Sequence, residues 1–337
     1  MNAFNLKKIL KAAGVSTNNK KDLHILRFYS SFVVVSCGKV IGMTNPSMKY
    51  CPLVDFLYKG IKSREITGVA KIKEFIKIAV NGKISKFGHF TEKRELYRDD
   101  IAVPYGASEM LMYAMNRGII DSAVLVCDGA GTVITDKPGV VQGIGARMNG
   151  LFYTSPIAET IKRLKAYGCN VISPDAKIQQ LEGVIKAAEI GYKNIAVTLN
   201  GFTESDLSRL RKIERDYNAS VTSLIVCTSG ISRERVKEIN KYADLVWSCA
   251  SQEIREETGK KAVLQLSLAI PVFVLTKKGL KFVSGYSSDE KLIRDLDTRK
   301  QYLICNKYGG KKIKMGNFNS FLTGTNLPVR SNKEPII

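Results

Sequence analysis

A cysteine and an aspartate at the end of a short apolar run are the first residues here with chemistry to offer. Residues 123–126 (Ala-Val-Leu-Val) lead directly into Cys127-Asp128-Gly129. An apolar run bounded by such a turn reads as a buried strand that delivers both side chains to its carboxyl end. There Cys127 is a candidate nucleophile or soft-metal ligand, and Asp128 a candidate catalytic carboxylate. A loop aspartate that accepts from backbone amides is an equally economical account of Asp128. Two more strand-like runs end in cysteine, at Cys227 and Cys249, and Cys51 stands before a proline that keeps it extended. Thiolates gathered at one edge from Cys51, Cys127, Cys227 and Cys249 suit a thiophilic metal or an iron–sulfur cluster. The seven cysteines form no C-x-x-C pair, so local spacing does not supply a cluster site, and their odd number argues against a disulfide framework. Inert buried cysteine is the alternative at each position. Only His24 and His89 could pair with a thiol, and neither is near one in sequence.

Glycine is the second signal. Gly129, Gly131 and Thr132 follow the run at 123–126, and Gln142-Gly143-Ile144-Gly145-Ala146-Arg147 forms a second glycine-dense stretch. Backbone amides in such loops can cradle a phosphate or carboxylate, and Arg147 offers a planar donor fork. Gly129, Gly131, Thr132, Gln142, Gly143, Gly145 and Arg147 are therefore the candidate anion or cofactor contacts. The stretch lacks the full G-x-G-x-x-G and the Gly-Lys-Ser/Thr of nucleotide loops, and residues 132–135 read as another strand rather than a helix start. Glycines serving tight turns explain the pattern as well.

Positioning these groups requires a sheet. From residue 104 the chain alternates helical patterns of ten to fifteen residues with apolar runs near 123, 170, 194, 220, 244 and 272. That rhythm predicts an α/β fold, a mainly parallel sheet with flanking helices, plus a small N-terminal α+β unit. In that unit, residues 24–43 read as a β-hairpin turning at 36–39, and apolar positions 66, 69, 72, 75, 76 and 79 mark a helix. The expected organisation is a peripheral extension over 1–22, the N-terminal unit over 23–103, the α/β domain over 104–285 and a basic tail over 286–337. Ligands in such sheets sit outside the carboxyl ends of the strands, where Cys127-Asp128, Asn200-Gly201, Cys227 and Cys249 would fall.

Bulk properties bound the function. With 337 residues, 45% hydrophobic and 25% charged, the composition is globular, and the apolar runs are too short for membrane insertion. Without a signal-peptide pattern, the expected location is cytoplasmic. The net charge of +21 permits anionic partners, but the lysines are scattered and no nucleic-acid motif is present, so nucleic acid is not the expected partner. A basic cluster occurs at 307–314, in the expected tail.

The motifs also have a family likeness. Tyr50-Cys-Pro-Leu53, Gly106-Ala-Ser-Glu109, Val126-Cys-Asp-Gly-Ala-Gly-Thr-Val-Ile-Thr135, Val141-Gln-Gly-Ile-Gly-Ala-Arg-Met148, Lys193-Asn-Ile-Ala-Val-Thr198, Cys249-Ala-Ser251, Gly259-Lys-Lys-Ala262 and Pro271-Val-Phe-Val-Leu-Thr-Lys277 stand in order. Over residues 24–278 the chain resembles the methanogenesis marker protein 8 family. The resemblance implies an anaerobic, cytoplasmic setting and supplies no catalytic residues. Two departures stand out: Phe28-Tyr29 where the family tends to carry cysteine, and Cys227 where it often carries histidine.

Three function classes follow. The first is a metal- or iron–sulfur-binding accessory protein or enzyme of anaerobic C1 or coenzyme metabolism, with Cys51, Cys127 and Cys249 as ligands. The second is a metal-free enzyme or binding module for an anionic small molecule held by the glycine loops. The third is a scaffold that docks a protein partner in a larger anaerobic complex.

Overall fold

Three consecutive valines, Val33 to Val35, show why the N-terminal unit needs cover on both faces. All three are fully buried in a computed structural model that describes residues 5–16, 22–58, 60–203, 206–307 and 309–337. They lie in β2 (Ser31–Ser36), between β1 (Leu23–Phe28) and β3 (Lys39–Met43). Side chains alternate across a strand. Val33 and Val35 thus meet the helix Val69–Phe87, and Val34 meets Leu10, Ala13 and Val15 around the helix Leu6–Ala12. The described part of the expected extension over 1–22 therefore packs onto the sheet; residues 1–4 and 17–21 lie outside the described residues.

The hairpin expected at 36–39 is present, with Ser36 opposite Lys39. A second turn, Tyr29-Ser30, joins β1 to β2 with both residues left-handed. Neither is the glycine or asparagine that such turns favour, so the sequence carried no signal for it.

The remaining strands are β4 (Ser122–Cys127), β5 (Gly131–Thr135), β6 (Gly150–Thr154), β7 (Asn170–Val171), β8 (Asn194–Asn200), β9 (Ser220–Val226), β10 (Leu245–Trp247), β11 (Leu264–Leu266), β12 (Val272–Val274), β13 (Tyr302–Cys305), β14 (Lys311–Met315) and β15 (Phe318–Gly324). One sheet of four antiparallel strands runs β3-β2-β1-β6, and an eleven-stranded sheet runs β14-β15-β13-β11-β12-β10-β9-β8-β4-β5-β7. β6 pairs with β1 although it comes from the middle of the chain, with His24 opposite Thr154.

The large sheet is mixed, which corrects the expected mainly parallel one. Parallel pairing joins β4, β8, β9 and β10, and joins β11 to β13; the other neighbours are antiparallel. The reason is local. Cys127 to Gly131 closes β4 and β5 as a tight hairpin, and a short connection returns β12 against β11, which places it antiparallel to β10 as well. Only helical crossovers such as Ser208–Tyr217 and Arg233–Tyr242 leave strands parallel.

Two further expectations change. Residues 286–337 are not a loose tail: β13, β14 and β15 extend the large sheet, and Ile336 bridges back to Tyr50. In β14, Ile313 and Met315 are buried while Lys311, Lys312 and Lys314 are exposed. The glycine-dense stretch before Arg147 is a helix, Pro138–Gly145, rather than a loop. Proline at its start suits the first turn, and Val140, Val141 and Ile144 form its buried stripe. A Cβ at Gly143 would enter the backbone of Leu96, and one at Gly145 would enter Ser108. These glycines permit close packing against the helix Ala107–Asn116 and the segment before it. Among the described residues, no helix is long and apolar enough to cross a membrane.

Candidate functional site

A cavity of about 370 Å³ lies outside the carboxyl ends of the central parallel strands. β8 contributes Thr198 and Asn200, β9 leads into Cys227 and Ser229, and β10 contributes Trp247 ahead of Cys249. The opposite wall comes from the small sheet and its helices: Arg27 and Phe28 of β1, the Tyr29-Ser30 turn, Cys51, Tyr58 and Lys83. Arg147, Asn149 and Gly150 close the space between the helix Pro138–Gly145 and β6. Apolar side chains such as Met48, Leu53, Leu111, Met148, Leu151 and Ile270 supply much of the remaining surface.

Five polar atoms in this wall are buried without a hydrogen-bond partner: Arg27 Nε, Ser30 Oγ, Tyr58 OH, Arg147 Nη1 and Asn200 Nδ2. Buried polar groups are normally satisfied, and each unpaired one costs on the order of 1–3 kcal/mol. Arg27 is held in place by other contacts, since Nη1 donates to the Ser229 carbonyl at 2.7 Å and the guanidinium lies 4.5 Å from the Phe202 ring. Arg147 is fixed likewise: Nη2 lies 3.3 Å from Asp100 Oδ2, and its guanidinium is 4.8 Å from the Phe87 ring. Both cations are therefore positioned, and both have a donor to spare.

Backbone strain is concentrated in the same wall. Tyr29 (φ 50°), Ser30 (57°), Arg147 (60°), Cys227 (57°) and Cys249 (42°) all occupy the left-handed region without being glycine. Such residues cost on the order of 1–3 kcal/mol each and cluster where function constrains the chain. Gly150 has a related role, because a Cβ there would run into Cys227 Sγ.

Lys83 is the buried amine of the site. It sits on the last turns of Val69–Phe87, on the same stripe as Ile72, Phe75, Ile76, Ala79, Val80 and Ile84. Its Nζ donates to the Arg147 carbonyl and to Asn149 Oδ1, each at 2.7 Å. Burial pushes its pKa down to about 7, with the Arg147 charge adding to the effect and Cys51 opposing it. Burial pushes the Cys51 thiol up to about 11, Cys227 up to about 12 and the Tyr58 hydroxyl up to about 12. These groups keep their protons at neutral pH and carry no charge, so Arg27 and Arg147 dominate the local charge. The lining carboxylate, Glu109, is fully engaged by the Ala102 and Val103 amides, the Ser108 hydroxyl and Gln142 Nε2.

Of the residues singled out in the sequence, the structure brings Cys51, Cys227, Cys249, Gly145 and Arg147 to the cavity; Cys127, Asp128, Gly129, Gly131, Thr132, Gln142 and Gly143 do not line it. Cys127 is sealed in the core, where its thiol donates to the Asp128 carbonyl at 3.3 Å, and burial pushes its pKa well up. Asp128 is fully buried and accepts from Arg94 Nε at 2.9 Å and the Phe90 amide at 2.6 Å. Although burial opposes ionisation, Arg94, His89 and the Phe90 amide hold its pKa down at about 2.

Three amides of the 129–132 loop are taken within the protein. Gly129 N donates to Thr154 Oγ1, Ala130 N to the Cys127 carbonyl and Thr132 N to the Lys177 carbonyl. The Thr132 hydroxyl donates to Gln180 Oε1 while accepting from the Gln179 amide. Gln142 Nε2 is taken by the Asp100 carbonyl and Glu109. Of the four cysteines considered as metal ligands, Cys51, Cys227 and Cys249 line the cavity and Cys127 does not, and among the described residues no group of three or more His, Cys, Asp or Glu side chains is disposed to hold a metal ion.

Arg27, Tyr58 and Lys83 escaped the sequence reading. Arginine inside the apolar run Leu-His-Ile-Leu-Arg-Phe and lysine on an apolar helical stripe are the signals that could have found two of them. Tyr58 offered none.

Comparison with known proteins matches residues 24–286 to a family described as an uncharacterized protein conserved in archaea, DUF2099. The chain is also 42% identical over 258 residues to the uncharacterized protein MJ0054 of Methanocaldococcus jannaschii. That alignment covers 76% of this chain and 87% of the relative.

Proposed function

The chain belongs to this archaeal family, and on that premise we propose that its central cavity binds a small amphiphilic anion. Arg27 and Arg147 take the anionic group, Asn200, Ser30 and Tyr58 supply polar contacts, and the apolar wall takes the body of the ligand. The observation that carries this reading is the set of five buried, partnerless polar atoms on residues that line one cavity. Three of them are donors only, Arg27 Nε, Arg147 Nη1 and Asn200 Nδ2, and donors without partners call for an acceptor. A carboxylate or phosphate offers several lone pairs, and arginine binds either through two parallel bonds. The anion is thus held by side chains of the cavity and not by the glycine loops. The finer kinship, to methanogenesis marker protein 8, belongs to the same proposal and would place the ligand in anaerobic C1 or coenzyme metabolism.

The test is thermal unfolding of the full chain with inorganic phosphate, short and branched carboxylates and phosphate monoesters. At least one organic anion is expected to raise the Tm. A ligand at 100 times its Kd stabilises by about 2.7 kcal/mol. Arg27→Met and Arg147→Met are each expected to weaken that probe by at least about tenfold, the equivalent of ~1.4 kcal/mol. No shift with any probe, or an equal shift in both variants, overturns the reading.

A further inference from the structure

Lys83 is a nitrogen base at the wall of a cavity whose other cations are guanidinium groups that never lose their protons. A neutral amine has two N–H bonds and one lone pair. Both N–H directions of Lys83 are spoken for, by the Arg147 carbonyl and by Asn149 Oδ1, each at 2.7 Å. The two acceptors come from the segment that precedes β6, the Phe28 ring lies 5.4 Å from the nitrogen, and the lone pair has no hydrogen-bond partner in the protein. The helix Val69–Phe87 places this nitrogen on its buried stripe, and no carboxylate pairs with it among the described residues. A structural lysine at such a stripe would be expected to reach an acid or the solvent. An amine held neutral in an apolar pocket next to another cation is the arrangement that activates lysine as a nucleophile.

We infer that Lys83 is a covalent catalytic residue that forms a Schiff base with a small oxo acid whose carboxylate is held by the cavity arginines. The inference rests on the anion-binding reading and deepens it by naming the ligand class. The Nζ lone pair adds to the carbonyl carbon, giving a carbinolamine. Its oxygen then leaves as water together with both amine hydrogens, and a C=N bond replaces C=O. Taking up one solvent proton gives the iminium form. No oxidant, reductant or metal enters this balance. The Tyr58 hydroxyl, buried in the same wall without a partner and holding its proton, stands ready as a donor to the departing oxygen.

The experiment is borohydride trapping. The full chain is incubated at pH 7 with glyoxylate, pyruvate or a branched 2-oxo acid, reduced with sodium borohydride, digested and mapped by mass spectrometry. For at least one acid, the adduct at Lys83 is expected to exceed that at an exposed lysine by about a hundredfold, since a surface lysine is almost wholly protonated at that pH. Lys83→Arg and Lys83→Gln are expected to lose the adduct. If either variant fails to fold, the wild-type map decides alone. An even spread of adducts over surface lysines overturns the inference. So does thermal stabilisation by an oxo acid without an adduct at Lys83, while leaving anion binding intact. If neither oxo acids nor the other organic anions stabilise the wild-type protein, both readings fall.

Discussion

The interior around Asp128 and the wall around Arg27 are both buried, polar and charged, yet they are built on opposite terms. At Asp128 every group closes on another: the carboxylate takes Arg94 Nε and the Phe90 amide, and Arg94 spends its other nitrogens on the Glu95 and Ile144 carbonyls. In the cavity, Arg27, Ser30, Tyr58, Arg147 and Asn200 each keep an atom with nothing to bind. Closed networks of this kind hold a fold together, whereas open ones facing a volume are prepared for something else. The difference teaches that a carboxylate at a strand end can be tied wholly into the fold, while the neighbouring wall keeps the unpaired groups on which the proposed site rests.

Substitutions should separate the two regions. Asp128→Asn should have the largest effect, a loss of about 3–5 kcal/mol, because it leaves the Arg94 charge buried and unpaired. Chemical denaturation would measure it. A loss below ~1 kcal/mol would show that Asp128 is not the structural anchor described here. Next in size is Gly150→Ala, whose Cβ would collide with Cys227 Sγ. Overpacking of this sort costs about 1–3 kcal/mol. Adding Cys227→Ala should restore part of it, and a double-mutant cycle without coupling would show that the glycine has another purpose.

The smallest effect is a change of slope with pH. Lys83 titrates at about 7 in the folded protein, against a usual value of 10.5. Between those values the unfolded chain binds more protons, so this residue makes stability rise with pH across that window. The contribution is complete above the unfolded pKa and is lost as pH falls through 7. In Lys83→Met this rise of stability across the window should be absent. Parallel pH–stability curves for wild type and variant would count against a buried neutral amine.

Much of the fold was readable because its signals are local. The apolar runs became β4, β8, β9, β10 and β12, and the intervening periodic stretches became helices. The carboxyl ends of β8, β9 and β10 did converge on a cavity, which is why Cys227 and Cys249 were well placed. Strand direction was less readable, because one tight turn at 128–130 reverses β5 and no hydrophobic pattern records that. The C-terminal strands were masked by lysines on the exposed face of β14. At the site, glycine density was read as anion binding when it reflects helix packing at Gly143 and Gly145. Lys83 was hidden because lysine on a helix ordinarily belongs to the surface; continuing the stripe 72-75-76-79-80 by one turn arrives at 83.

The pairing of β6 with β1 has a consequence for assembly in time. His24 and Thr154 are 130 residues apart in the chain, and their side chains meet at 2.6 Å. Contacts of such long separation form late, since a large loop must close before they reward it. Arg147, Asn149 and Gly150 lie directly ahead of β6, so the same closure brings the Arg147 carbonyl to Lys83 and Gly150 to Cys227. A chain synthesised only as far as residue 145 would have β1 as an open sheet edge and Lys83 without its two acceptors. One strand pairing thus sets both the Arg147 carbonyl against Lys83 and Gly150 against Cys227, so the edge of the small sheet and this part of the pocket wall are completed together.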